Sequence, residues 1–222
     1  GGRLRLVTLS NAYLMLAVPL GLIYLQPDLG TMLVFVAIGM GVLLVAGAQL
    51  KHIFVTSVIG IIVVVAMFNS DNLGGPALLR PAQEQRLTAF LDPGFDVQGA
   101  SYNVNQSQIA IGAGGFRGQG WLQGTQTNLN LVPEQETDFI FTALGEEFGF
   151  VGVTLLLLLY AYMLARIWFI ARASNDLFGA FACVGALSMF TFQIFQNVGM
   201  TMGIMPITGI PLPFLSHGGS ST

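Results

Sequence analysis

Five long apolar segments constrain the fold of this chain more than any other feature of its sequence. Only 9% of the 222 residues are charged, about a third of the share that is usual in a soluble domain, so we expect lipid to surround most of the chain. A helix that crosses a bilayer needs about 20 mostly apolar residues. Backbone groups within lipid are satisfied only in helices or closed barrels, and these segments are too long for barrel strands. The sequence therefore predicts an all-α, polytopic transmembrane helix bundle, with spans at residues 7–25, 31–48, 53–68, 139–170 and 177–205.

A further apolar piece, at residues 207–215, follows the last span and is interrupted by prolines. Pro206, Pro211 and Pro213 stand within or beside it, and proline at this density prevents a regular helix. Irregular backbone at membrane depth is tolerated where it is buried in protein or lines a cavity. We therefore predict a re-entrant or bent segment over residues 206–222. We interpret residues 1–222 as a single membrane domain that is a fragment of a longer polytopic protein.

The basic residues of the short loops predict the orientation of the spans. If the five spans alternate in direction, one side of the membrane holds Arg3, Arg5, Lys51, Arg166 and Arg172. Short cytoplasmic loops carry an excess of lysine and arginine, so this side is predicted to be cytoplasmic. The long loop at 69–138, the turn at 26–31 and the proline-rich segment then share the extracellular side. All the unusual polar motifs are thus expected on one face of the membrane.

A cluster of acidic residues stands just before the fourth span. Glu134, Glu136 and Asp138 lie within five residues, and charge at a membrane boundary is costly, so we expect a function for it. Asp138 could instead be the N-cap of the following helix, and the sequence favours neither explanation over the other. One of Glu146 and Glu147, two helical turns further on, is expected to face the bundle interior.

The turn between the first two spans contains Gln26 and Asp28. Asp28 could simply begin the next helix as a turn residue. Alternatively, Asp28 lies close to Asp138. Two neighbouring carboxylates would permit general acid–base catalysis. We predict that Asp138, Gln26 and residues 211–219 converge on one cavity that faces the outside of the cell.

The long loop contains two segments of recognisable character. Residues 103–111 mix apolar with polar side chains and could form an amphipathic helix lying on the membrane surface. Residues 112–120 contain five glycines. These glycines indicate either a tightly turned loop or a backbone that closely approaches a ligand, with Arg117 contacting an anion.

Several other classes of site find no support in the sequence. The glycines do not match the dinucleotide-binding pattern, and no Gly-Lys-Ser/Thr motif occurs, which argues against ATP chemistry. His52 and His217 are isolated, so the sequence does not indicate a metal site, and it identifies no cofactor. Cys183 lies in an apolar run and is interpreted as a small core residue. The net charge of −3 argues against a nucleic-acid partner.

Four motifs, in order along the chain, resemble those of the SEDS family, which contains the RodA, FtsW and SpoVE proteins. The motifs are QPDLGT at 26–31, the segment 102–120, PEQETDFIF at 133–141 with GEEFG at 145–149, and GIPLPFLSHGGSS at 209–221. Within the family, residues 197–200 and 124–126 favour the elongation subgroup. Two positions depart from the commoner pattern: Glu136 stands where histidine is frequent, and His217 stands where tyrosine is frequent.

The resemblance implies a peptidoglycan glycosyltransferase in the bacterial cell membrane that acts on its outer face. Such an enzyme polymerises lipid II, an undecaprenyl-diphosphate-linked disaccharide peptide, into glycan strands. It also implies a class B penicillin-binding protein as partner, and further helices before and after this fragment. A flippase for lipid-linked precursors would use a similar cavity between broken helices, and a non-catalytic scaffold for the penicillin-binding protein is a third alternative.

The resemblance also implies roles for particular residues. Asp138 would be the catalytic base for the attacking sugar hydroxyl. The departing diphosphate needs positive charge, for which Arg86 and Arg117 are available. The substrate-binding residues implied by the motifs are Gln26, Asp28, Arg86, Gln106, Ser107, Arg117, Glu134, Thr137 and Ser216.

Overall fold

The computed structural model describes residues 6–26, 28–68, 81–91, 99–129 and 137–217. Within these ranges every regular element is a helix, which confirms the predicted all-α fold class. The helices are α1 (Leu6–Leu25), α2 (Leu29–Val45), α3 (Leu50–Phe68), α4 (Pro81–Leu91), α5 (Ala100–Gly114), α6 (Thr125–Asn128), α7 (Ile140–Ala173) and α8 (Leu177–Thr201).

Helices α1, α2, α3, α7 and α8 occupy the positions of the five predicted spans, with some displaced ends. Helix α2 begins at residue 29 rather than 31 because Asp28 caps it. Helix α8 ends at residue 201 rather than 205 because the chain turns at Gly203, whose φ is +73°. By length and composition, α3, α7 and α8 can each cross a membrane, whereas the apolar parts of α1 and α2 are shorter. That all five cross the membrane remains a prediction.

Residues 1–84 and 167–189 form one compact unit. Helices α1 and α3 are joined there by a hydrogen bond of 2.7 Å between the Tyr13 and Thr56 hydroxyls. A β-carbon at Gly41 would overlap the Ser188 side chain, so glycine permits close approach at this point, as is common between membrane helices.

Residues 85–166 and 190–222 form the second compact unit. Its core contains the buried side chains of Phe141, Tyr160, Ile194 and Leu212. These residues come from α7, α8 and the proline-rich segment, so the irregular chain end is part of the core.

Helix α7 is interrupted at Gly149, where φ is +63° and ψ is −161°. Residues 115–120, which follow α5 and which we call the glycine-rich loop, pack against this kink through backbone hydrogen bonds. The Phe150 N–H donates to the Gly115 carbonyl at 2.9 Å, and the Gly120 N–H donates to the Glu147 carbonyl at 3.0 Å. A β-carbon at Gly118 would lie 2.1 Å from the Glu147 carbonyl oxygen. The glycines therefore permit a tightly turned, closely packed loop, one of the two alternatives that the sequence offered.

The described parts of the predicted long loop contain α4, α5, α6 and turns, and no strand. Residues 103–111 are helical within α5, and that this helix lies on a membrane surface remains a prediction. Ser107 is 0% exposed whereas Ile109 is 53% exposed. The Ser107 hydroxyl donates to the Thr201 carbonyl at 2.9 Å and pairs with the Thr142 hydroxyl. These hydrogen bonds draw the polar side of α5 into the protein.

The proline-rich segment is irregular over its described residues, 206–217, as its prolines predict, and several of its residues are buried. The four residues before it, 202–205, are irregular as well. Buried backbone groups need hydrogen-bond partners, and side chains provide them. Gln196 donates to the Pro206 carbonyl at 2.8 Å, Tyr160 donates to the Pro213 carbonyl at 2.6 Å, and the Leu212 N–H donates to Ser216 Oγ at 2.7 Å. That this segment re-enters a membrane remains a prediction.

Candidate active site

Asp138 and Arg86 face the same point on the proline-rich segment. The ideal Cβ position at Gly209 lies 3.2 Å from Asp138 Oδ2 and 3.5 Å from Arg86 Nη1. The carboxylate oxygen and the guanidinium nitrogen are therefore no further apart than the sum of these two distances. Gly209 has a φ of +71°, a conformation in which glycine is favoured. We call these three residues the acid–base cluster.

The backbone around the acid–base cluster is held by Asn197 of α8. Its side-chain amide donates to the Asp138 carbonyl at 2.8 Å and to the Ile210 carbonyl at 2.8 Å. Asn197 is fully buried, so water does not compete for these bonds. One side chain thus fixes Asp138 relative to the segment that carries Gly209. In the sequence, the motif that contains Asn197 indicated only a subgroup, although the polar pair Gln196 and Asn197 in an apolar helix was an available signal of a role for this residue.

Asp138 lies two residues before Ile140, the first residue of α7, and its role as the cap of this helix remains a prediction. The helix begins at Ile140, so the residue directly before it is Phe139, which is buried and whose carbonyl accepts from the Thr142 N–H at 2.9 Å. Asp138 lies one residue further out, is half-buried, and places its Oδ2 atom near Gly209. Thr137, beside it, is also half-buried.

Asp28, in the first unit, is the N-cap of α2. Its carboxylate accepts from the Thr31 N–H at 3.0 Å and from the Thr31 hydroxyl at 2.5 Å. The interpretation of Asp28 as the residue that begins the helix is therefore confirmed. Gln26, two residues earlier, is exposed. Their convergence with Asp138 and their binding of substrate stay predictions.

The two predicted serines bind protein groups. Ser107 connects α5 to Thr142 and Thr201, and Ser216 accepts from the Leu212 backbone N–H. Both residues are buried, so their hydroxyls support the local structure. Gln106 is half-buried on α5. Glu134 and Glu136 lie outside the described residues.

Arg117 is exposed on the glycine-rich loop, beside the kink at Gly149. Gly149 is nine residues from Ile140, where α7 begins. At a rise of about 1.5 Å per residue, the two lie roughly 14 Å apart along the helix. The structure brings Arg86, and not Arg117, to Gly209. Anion binding by Arg117 stays a prediction.

Glu146 and Glu147 are both buried, whereas the sequence predicted that one of them faces inward. The Glu146 carboxylate accepts from the backbone N–H groups of Gln126 and Thr127 at 2.8 and 2.9 Å, and from the Thr127 and Thr125 hydroxyls at 2.6 and 3.2 Å. It therefore anchors the start of α6 to α7. In the part of the chain that the structure describes, no group of three or more His, Cys, Asp or Glu residues could hold a metal ion.

Several apolar helices that are long enough to cross a membrane define a polytopic membrane protein. In this protein an acidic and a basic side chain meet at one irregular segment. A comparison with protein families is more specific. The sequence profile of the FtsW/RodA/SpoVE family, described as cell cycle proteins, matches residues 3–222. The chain belongs to this family of bacterial membrane proteins, as the sequence motifs predicted.

Individual relatives support this assignment. The chain is 41% identical over 211 residues to the peptidoglycan glycosyltransferase MrdB of Escherichia coli K12, which covers 95% of this chain and 55% of that protein. It is 48% identical over 150 residues to the peptidoglycan glycosyltransferase RodA of Treponema pallidum, covering 68% of this chain and 35% of that protein. The chain thus spans about half the length of the E. coli relative and about a third of the length of the T. pallidum relative.

A solved structure of a peptidoglycan synthase complex that coordinates polymerization and crosslinking contains a similar chain. The two share 32% sequence identity with a TM-score of 0.76, over 100% of this chain and 59% of the solved chain. The helical fold described above is therefore the fold of this family.

Proposed function

We propose that the protein is a peptidoglycan glycosyltransferase that polymerises lipid II into glycan strands during cell elongation. The observation that carries this proposal is the acid–base cluster, in which the Asp138 carboxylate and the Arg86 guanidinium face the same point at Gly209. Glycosyl transfer from a diphosphate requires both a proton acceptor and positive charge, and these two side chains supply them.

In the proposed reaction the growing glycan strand is the donor and lipid II is the acceptor. The 4-hydroxyl oxygen of the lipid II sugar attacks C1 of the donor sugar. The bond between C1 and the diphosphate oxygen breaks, and the electron pair leaves with the undecaprenyl diphosphate. The hydroxyl proton passes to Asp138, and Arg86, which is exposed, stabilises the negative charge that develops on the leaving group. Arg86 is thus preferred over Arg117 for this role.

The comparisons support the same reaction. The relatives from E. coli and T. pallidum are both named peptidoglycan glycosyltransferases. The solved relative belongs to a complex that coordinates polymerization with crosslinking. We propose, accordingly, that a class B penicillin-binding protein that crosslinks the strands is the partner of this protein. The loop basic residues support an inner-membrane protein whose active face is outside the cytoplasm.

Purified full-length protein in vesicles tests polymerisation against its alternatives. With fluorescent lipid II as the sole substrate, a polymerase forms glycan strands that separate by length on a gel and that lysozyme degrades. A flippase moves the labelled lipid between leaflets without forming strands, and a scaffold does neither. Strand formation by the full-length protein alone is the expected result.

A further inference from the structure

A small cavity lies beside the acid–base cluster, between α4, α5 and the start of the proline-rich segment. Its volume is about 110 Å³. It is accessible from the surface, because Phe90, Asn105 and Gln108 on its wall are exposed. None of the described residues that line it carries a charge, so the lining favours an uncharged ligand group over a diphosphate or a carboxylate.

One wall of the cavity is polar, and one of its hydroxyl groups lacks a partner. Ser101 is 2% exposed, and its Oγ atom has no hydrogen-bond partner among the described residues. Buried polar groups are almost always hydrogen-bonded, so this hydroxyl indicates a ligand or water within the cavity. Asn105 and Gln108 extend the same wall along α5.

The position of the Gln108 amide is fixed by the backbone opposite. Its Nε2 atom donates to the Met202 carbonyl at 2.9 Å, which leaves its second N–H and its carbonyl oxygen available. A β-carbon at Gly203 would lie 2.4 Å from the same nitrogen. Because Gly203 has a φ of +73° and no side chain, the amide can rest against the turn at the cavity wall.

The remaining lining is apolar and includes Val104, Met205 and Ile207. A cavity of about 150 Å³ holds a benzene molecule, so this slightly smaller one accommodates a group of a few heavy atoms but not a whole sugar ring. A planar amide with one hydrogen-bond acceptor, one donor and a methyl group matches both the size and the mixed lining. An acetamido group has these properties.

The cavity adjoins the acid–base cluster along two elements. Ile207 is two residues from Gly209, a reach of at most about 7 Å in extended chain. Phe90 follows Arg86 by about one turn of α4. From these observations we infer that the cavity binds the 2-acetamido group of the acceptor sugar and thereby directs the 4-hydroxyl of the same ring towards Asp138. This inference rests on the proposed function, in which an N-acetylated amino sugar is the acceptor.

The test uses full-length protein that carries Asp138→Asn, so that bound substrate is not consumed. Its affinity is measured for lipid II and for an analogue with a hydroxyl in place of the acetamido group on the acceptor sugar. Loss of one or two neutral hydrogen bonds predicts about tenfold weaker binding of the analogue. Adding Ser101→Ala should weaken binding of lipid II by a similar factor and leave binding of the analogue unchanged.

Two asparagines on α5 provide a matched pair of variants. Asn105 lines the cavity whereas Asn103, two positions earlier, does not. Asn105→Ala should therefore reduce the preference for lipid II over the analogue, and Asn103→Ala should retain it. If the analogue binds as tightly as lipid II, or if Ser101→Ala and Asn105→Ala both keep the full preference, the cavity holds water only and the inference is wrong.

A parallel polymerisation assay with Asp138 intact separates this inference from the proposed function. Strand formation without any acetamido preference would leave the function standing and overturn the inference. The opposite outcome is a protein that forms no strands but prefers lipid II over the hydroxyl analogue, with a preference that Ser101→Ala abolishes. That outcome would support the binding site and overturn the proposed polymerase activity.

Discussion

At the scale of single residues, buried polar side chains hold the irregular parts of the second unit in place. Asn197 bonds the backbone at Asp138 and Ile210, and Gln196 bonds the Pro206 carbonyl. Both amides are buried, but only Asn197 contacts the residue that we propose as the base. These neighbours on α8 therefore separate an effect on activity from an effect on stability.

Asn197→Leu should lower both stability and polymerisation, because it leaves the buried Ile210 carbonyl without this partner, at about 1–3 kcal/mol, and releases the partly buried backbone carbonyl of Asp138. Gln196→Leu should lower stability with little loss of kcat. Thermal unfolding and polymerisation rates of the full-length variants check this pair. Equal kcat values for the two variants would show that Asn197 does not position Asp138.

Glu146 holds the start of α6 against α7. Its carboxylate accepts four hydrogen bonds at the start of α6, and hydrogen bonds to charged groups contribute about 1.5–3 kcal/mol. Glu146→Gln keeps the shape of the side chain but turns an amide N–H₂ group towards N–H and O–H donors of residues 125–127. The backbone amide hydrogens of residues 125–129 should therefore exchange faster, and the unfolding temperature should fall. Glu84→Gln, at an exposed position on α4, is the control and should change neither. Unchanged exchange in Glu146→Gln would refute the anchoring role.

At the scale of elements, the packing of the glycine-rich loop and the end of α5 against α7 determines the arrangement of the second unit. A β-carbon at Gly114 would lie 2.0 Å from the Gly145 carbonyl oxygen, whereas one at Gly112 would meet nothing within 4 Å. The two glycines are on the same helix, two residues apart, which makes them a direct test of close packing.

Gly114→Ala should destabilise the protein by about 1–3 kcal/mol, because the backbone of α5 must move away from α7. Gly112→Ala should be neutral or stabilising by up to about 1 kcal/mol, since alanine is the better helix former. Denaturation of the two full-length variants measures the difference. Similar stability for both would mean that α5 does not pack on α7 as closely as described.

At the scale of the whole molecule, the sequence predicts what depends on local pattern. Apolar segments of span length predicted the helical fold, and prolines predicted the irregular backbone from residue 206 onwards, whereas the irregular residues 202–205 had been assigned to the last span. The kink of α7 at Gly149 was not predictable in this way, because glycine also stands within an uninterrupted helix, as Gly39 and Gly41 do in α2. The inward-facing serines of α5 were missed because residue type alone does not reveal which face of a helix finds hydrogen-bond partners.

The candidate site was predictable only in part. The acidic motif indicated Asp138, and the resemblance to a known family implied its role. The proximity of Arg86 and Asp138 to Gly209 depends on tertiary packing between segments far apart in the chain. Asn197 lay in a motif that sequence analysis noted, but its two carbonyl partners are visible only in the folded structure.

Lipid II polymerisation by full-length protein that carries Asp138→Asn, with Glu134→Gln and Glu136→Gln as controls, tests whether Asp138 is the base. The substitution keeps the shape of the side chain, so the unfolding temperature should be close to that of the wild type. A general base contributes about a hundred- to ten-thousand-fold in rate, so strand formation should be lost in Asp138→Asn, whereas Glu136→Gln should retain it. Near-normal strand formation by folded Asp138→Asn would contradict the assignment of Asp138 as the base.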